Sequence, residues 1–242
     1  MVRKPKPSQI ALLGTVGILA VIIIALFISA ITGRAHVSIP GAAGVPTEDG
    51  RIALHPEIRN FRAIGLTGKW LATLKRGEDW QLELTHPPGF GHLLRWELHA
   101  DRLELDFDPP LQKDAAEIYA VARITLPELG ALYLKGYNGV HLEGFDGNRL
   151  ILGIRGSNLV VGDRGHYDAL DLTIAGKNLV NLDKIRIRNA DVHIAGNTRV
   201  TLSMDGGQLS GFLAGAGSLD YRGTVSSETV RVAGVARIRR LD

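Results

Sequence analysis

The chain contains no cysteine. No disulfide can brace it and no lipidated cysteine can anchor it, so packing alone must hold any exported region together. Aromatic residues are sparse, at 6%. Charge of either sign is nearly balanced: the formal net charge is +3 over 242 residues, and much of the excess sits at the two ends (Arg3, Lys4, Lys6; Arg237, Arg239, Arg240). A mild excess divided in this way builds no nucleic-acid groove, so no nucleic-acid partner is expected. The eight histidines include no His-x-x-x-His pair, and without cysteine a zinc ligand set is missing. No metal and no other cofactor are expected. No Gly-x-Ser-x-Gly elbow marks a serine hydrolase. Gly215-Ala-Gly217 runs on into Ser218-Leu-Asp-Tyr221, so it reads as a tight corner; a phosphate cradle needs a helix N-terminus behind it.

One long hydrophobic run is present. Ile10 to Ile31 is 22 residues without charge or proline; as a helix it would be about 33 Å long, against a hydrocarbon core of about 30 Å. It predicts a transmembrane helix over residues 10–32, behind a cytoplasmic basic tail at 1–9. Arg3, Lys4 and Lys6 precede the run and only Arg34 follows closely, which places the rest of the chain outside the cytoplasm. A cleaved signal peptide is the competing reading, with Gly33-Arg34-Ala35 as the small-x-small site, but the run exceeds the usual apolar length. The expected location is the cell membrane, single-pass, with the C-terminal domain periplasmic or extracellular. Residues 33–59, rich in Gly, Pro and Ala, read as a linker.

From Asn60 onward the pattern is that of strands. Trp80 to Leu84 alternates, His86 to Gly91 is a turn, and Leu93 to Phe107 reads as two strands around an Ala100-Asp101 corner. Ile118 to Leu126 alternates again. No window beyond the membrane run carries a helical stripe.

The second half is repetitive. Gly136, Gly156, Gly176, Gly196, Gly215 and Gly234 recur at steps of 20, 20, 20, 19 and 19 residues. Two residues before them stand Leu134, Ile154, Ile174, Ile194, Leu213 and Val232; four after stand Val140, Val160, Val180, Val200, Leu219 and Ile238. Such regularity means one small unit stacked on copies of itself. In Leu170 to Gly176 the aliphatic residues alternate with polar ones, sending Leu170, Leu172 and Ile174 inward. Each glycine is read as a bend where a Cβ would crowd the interior. Two residues later Asn138, Asn158, Asn178 and Thr198 form a column, expected to bond the bend and each other as a polar ladder. No single turn buries enough to stand alone. The architecture that satisfies all this is a parallel β-helix of about seven to nine rungs. A leucine-rich horseshoe needs a helical return, whereas Asp183 to Asp191 alternates Ile185 and Ile187 with charge as another strand.

The blocks IRGSNLVV, IAGKNLVNL, IAGNTRVTL and LAGAGSLDYRG, with Asn60-Phe-Arg-Ala-Ile-Gly at the entry, resemble the bacterial head GIN domain of auto-transporter adhesins. The resemblance spans roughly residues 60–242 and implies a right-handed single-stranded β-helix tethered at the cell envelope. It supplies no catalytic residues. The chain departs from the repeat at Gly162 and Gly211, which read as a corner or a thinner core.

Two acidic pairs fall one period apart, Asp163 with Asp183 and Asp171 with Asp191. Stacked rungs would hold each pair about 5 Å apart, the spacing of a retaining glycosidase or half of a calcium site. Their outward parity also fits a solvated face, with Arg164 and Lys184 as compensating charges. Trp70, Trp80 and Trp96 lie outside the repeats; exposed, they would stack on sugar rings, and buried, they would cap the solenoid end. The three tryptophans and four aspartates form the candidate ligand surface. The expected function is non-enzymatic: a binding or scaffolding domain contacting cell-envelope polysaccharide or another envelope protein. A carbohydrate-active enzyme using the aspartate columns is the first alternative, a signalling partner of another membrane protein the second.

Overall fold

Tyr221, four layers of Val and Leu, and one wall of stacked strands define the C-terminal half of the molecule in the computed structural model, which describes residues 45–47, 50–108 and 119–242. The predicted membrane helix lies outside the described residues. Among those described, no helix is long and apolar enough to cross a membrane.

The domain is an all-β solenoid. The N-terminal region carries β1 (Val45–Pro46), β2 (Ile52–Leu54), β3 (Ala63–Arg76), β4 (Gln81–His86), β5 (Leu94–His99), β6 (Arg102–Phe107) and β7 (Ala120–Leu126). The coil follows as β8 (Ala131–Gly156), β9 (Leu159–Gly176), β10 (Leu179–Gly196), β11 (Arg199–Asp205), β12 (Gln208–Gly215), β13 (Ser218–Thr224), β14 (Ser227–Gly234) and β15 (Arg237–Arg240). A single 3-10 turn, Gly91–Leu93, is the only helical piece among the described residues.

Parallel pairing runs in register at the repeat period. Ile154 stands beside Ile174, Ile174 beside Ile194 and Ile194 beside Leu213. These inward residues are all buried, as are Val160, Val180, Val200 and Leu219 on the far side of the corner. The alternation in the sequence thus becomes one continuous aliphatic core.

The coil makes about five turns, fewer than the seven to nine rungs expected. The six repeat glycines bound those turns, and β3 adds one further layer through its register with β8. On the other side of β3, β6 and β7 also pair parallel with it, and antiparallel pairing begins only beyond them. β5 pairs antiparallel with β6, because the turn at Ala100 is too short to let a strand return parallel, and β4 pairs antiparallel with β7. Ala100 takes φ +55° at the corner the sequence marks.

Within the stretch 33–59, expected as linker, the described residues contribute two short strands to the sheet. β2 pairs with β4 and β1 with β2. Arg51 secures this edge by donating from Nη2 to the Tyr119 carbonyl at 2.7 Å, with its guanidinium 4.7 Å from the Tyr119 ring.

The repeat glycines do not face the core as expected. Gly156, Gly176 and Gly196 lie on the outer corner, with φ between +106° and +110°. A Cβ on Gly176 would fall 2.2 Å from the Gly156 carbonyl oxygen. The glycine column lets successive corners stack backbone on backbone.

Gly162 marks no thin core either. Its Cβ would meet Ile185 Cδ1 at 2.4 Å, so the isoleucine of the next turn fills the space. At Gly211 the constraint is different: φ is +133° and a Cβ would strike the Val192 carbonyl.

Candidate binding surfaces

The polar ladder forms as the column predicts. Asn158 Oδ1 accepts from the Asn138 backbone N–H at 3.1 Å and from its Nδ2 at 2.8 Å. Asn178 Oδ1 accepts from Asn158 in the same way, at 3.0 and 2.9 Å. Each Nδ2 also donates to the carbonyl three residues back, on Lys135, Arg155 and Ala175. Every rung therefore serves two layers, which satisfies buried backbone at a corner where no strand ladder reaches.

Trp70 is the correction this ladder imposes on the candidate ligand surface. It stands beside Asn138 in the register, it is only 1% exposed, and its Nε1 donates to the Thr67 carbonyl at 2.9 Å. That bond is the same three-residue return the asparagines make. Trp70 takes the ladder position at its N-terminal end without bonding Asn138 Oδ1, and packs on Phe107, ring centroids 5.0 Å apart. It offers nothing to a ligand. Trp80 is half-buried, packs against the core and donates to the Phe61 carbonyl at 2.7 Å. Trp96 alone reaches solvent, 36% exposed on β5. Two of the three tryptophans serve the hydrophobic end of the solenoid.

The aspartate columns stand in register on the outside, Asp171 directly beside Asp191. Asp171 is paired with Arg149. Asp191 lies 3.3 Å from His193 Nε2 and accepts from Ser210 Oγ at 3.1 Å. Asp163 meets Lys184 Nζ at 3.3 Å, and Asp183 receives no side-chain contact of its own; its backbone N–H donates to Asn181 Oδ1 at 3.2 Å. Lys184 supplies the compensation read from the sequence. Arg149 stands 22 residues before its aspartate, and nothing in the repeat marks it as that partner. Among the described residues no group of three or more acidic or histidine side chains is arranged to hold a metal ion.

Two aromatics that sequence reasoning passed over lie on the outer wall. Tyr133 is 37% exposed and Phe212 is 43% exposed. Tyr133 lies over Gly153, where a Cβ would come within 2.8 Å of its ring. Gly153, Thr173, His193 and Phe212 then follow in successive layers. The result is a flat strip of small and polar side chains with an aromatic at each end, about 19 Å apart at ~4.8 Å per layer. Their outward parity inside the repeat was the available signal; attention to aromatics outside the repeat missed it.

At the C-terminal end, Arg239 Nε donates to Asp220 Oδ1 at 2.8 Å and Ser218 Oγ lies 3.4 Å from Oδ2. The Arg239 hydrogen bond holds the Asp220 carboxyl below its usual range. A depressed folded pKa contributes stability above the unfolded value, near 3.9, and that contribution is lost as pH falls through the folded value. Arg239→Gln should therefore lower the urea midpoint at pH 7, though only modestly, since the guanidinium is half-exposed and screened by solvent. The difference from wild type should shrink in urea melts as pH falls through the lowered folded value and the carboxyl becomes protonated.

The comparisons with known proteins agree with this geometry. Residues 60–242 match the family described as "Putative auto-transporter adhesin, head GIN domain". No curated protein matches the chain. Among solved structures, a "putative adhesin" from Bacteroides fragilis NCTC 9343 superposes with a TM-score of 0.64 at 17% identity, covering 81% of this chain and 99% of that one. A "putative adhesin" from Parabacteroides merdae ATCC 43184 gives 0.52 at 14% identity, covering 79% and 96%. At these identities the likeness is one of fold. The matched span covers the whole solenoid, and the chain belongs to the auto-transporter adhesin head GIN domain family.

Proposed function

We propose that this chain is a non-enzymatic binding domain of the cell envelope, held to the membrane by residues 10–32, whose outer wall contacts envelope polysaccharide. The observation that carries the reading is the strip from Tyr133 to Phe212. The exposed Phe212 ring offers an apolar face for a sugar ring, Tyr133 keeps an exposed edge beside the Arg102 guanidinium 5.4 Å from its centroid, and the Thr173 and His193 layers between them leave room for an extended chain. Relatives of the same fold carry the name adhesin, which supports binding as the role. The right-handed winding of the resemblance belongs to this reading as well. The aspartate columns fit a binding wall better than a catalytic pair, because Asp163 and Asp171 are each engaged by a cation.

The test is co-sedimentation of the full detergent-solubilised chain with purified bacterial wall polysaccharide, with polymer length followed in parallel. Wild type should bind and leave the polymer intact. Tyr133→Ala with Phe212→Ala should weaken binding at least tenfold without shifting the melting curve. Polymer shortening that disappears in Asp163→Asn with Asp183→Asn, or in Asp171→Asn with Asp191→Asn, would replace this reading by the enzymatic one.

A further inference from the structure

The polar ladder breaks before the solenoid ends. Its column continues through Thr198 to Gly217 and Ala236. Thr198 Oγ1 is only 3.5 Å from Asn178 Nδ2 and itself donates to the Gly176 carbonyl at 3.3 Å. In the Asn138 and Asn158 layers the backbone N–H of the column residue donates to the amide oxygen of the next turn, and from Asn178 onward that bond is not made among the described residues. For Thr198 that oxygen would come from position 217, where glycine has no side chain. The Thr198 N–H finds no acceptor among the described residues, although Thr198 is 1% exposed. A buried donor without an acceptor costs about 1–3 kcal/mol.

A cavity of about 210 Å³ lies at this break, lined by Asn197, Thr198, Arg199, Gly217, Ser218 and Arg237 among others. Arg199, Ser218 and Arg237 stand in register on three successive strands. The two arginines therefore flank Ser218, with Cα atoms roughly 10 Å apart at ~4.8 Å per layer. Both are exposed, and neither forms an ion pair among the described residues. Asp220, two residues after Ser218, is held by Arg239, and Arg237 adds to the field on its carboxylate. The corner thus joins a concave space and two exposed guanidiniums that form no ion pair among the described residues.

We propose that this corner binds an oxyanion, a carboxylate, sulfate or phosphate group carried on a polymer. Arg199 and Arg237 hold the anion from either side. Ser218, between them in the register, lines the same space. Guanidinium suits this role because its planar fork matches the geometry of all three groups. Gly215-Ala-Gly217 is a corner, as its sequence implies, and the corner is what makes the concavity. The polymer as carrier rests on the binding role proposed above; the anion site itself does not.

The experiment titrates the full chain at about 0.15 M salt, where long-range attraction is screened, with four probes: a sulfated oligosaccharide, an oligogalacturonate, a poly(glycerol phosphate) and neutral dextran. Wild type should bind at least one charged probe and not dextran, and the probe bound identifies the anion. Arg199→Gln with Arg237→Gln should weaken that binding at least tenfold. Arg155→Gln with Arg188→Gln removes the same charge from exposed positions outside the cavity and should change it less than twofold. Equal weakening by both pairs would reduce the effect to net charge and overturn the site, as would failure to bind any charged probe. The wall reading fails separately: it depends on Tyr133 and Phe212, whose replacement should leave the Arg199 and Arg237 dependence intact.

Discussion

Ile174→Asp should unfold the whole domain. Ile174 is 1% exposed, between Ile154 and Ile194 in the same column, and its layer is shared with the turns on either side. A carboxylate there has no partner, and an unpaired buried charge costs more than about 4 kcal/mol. Because each turn is stable only against its neighbours, the loss should spread along the stack. Urea denaturation followed by circular dichroism should show the sheet signal absent, or its midpoint displaced to very low urea. Thr173→Asp is the matching control. One residue away and exposed on the outer wall, it should stay within about 0.5 kcal/mol of wild type. A soluble, cooperatively folded Ile174→Asp protein would contradict the inward parity on which the core is built.

The second large effect is expected at the corner. Gly176→Ala places a Cβ 2.2 Å from the Gly156 carbonyl oxygen, on a residue whose φ is +110°. The conformation costs an L-residue about 1–2 kcal/mol, and relieving the overlap must push the stacked backbones away from each other, about 1–3 kcal/mol more. Lys177 donates from its N–H to the same Gly156 carbonyl at 2.9 Å, so moving that oxygen also loosens the corner bond. A total of about 2–5 kcal/mol is expected from urea melts. Gly144→Ala separates the two causes. Its φ is +75°, but the nearest atom to a Cβ is Arg76 Cβ at 3.9 Å. It should lose only the conformational contribution. Equal losses at the two sites would mean that the close approach of the corners contributes nothing.

The aliphatic columns explain why so much of the coil was legible. A period of two within each strand and of 20 between strands states both which residues face inward and which lie beside each other. The asparagine column was legible for the same reason, since identical residues at one period must meet in a stack. Where the chain leaves the period, the reading weakened. β1 and β2 looked like linker because strands of 2 and 3 residues carry little pattern. Their place is set by pairing with β4 and by Arg51 reaching Thr85 and Tyr119. Trp70 looked like a candidate ligand residue because no repeat surrounds it in sequence. Only its register with Asn138 shows that it occupies the ladder position one layer earlier.

Local alternation and a fixed period are properties of the chain itself, so the repeat alone dictated a stacked β-coil, its inward residues and its polar ladder. The direction in which the glycines face, the filling of Gly162 by Ile185, and the placing of Arg199 and Arg237 on either side of Ser218 depend on contacts between turns. Those contacts exist only once neighbouring turns have closed to hydrogen-bonding distance. That is why the fold could be read along the chain, while the candidate binding surfaces had to wait for the layers to be laid over one another.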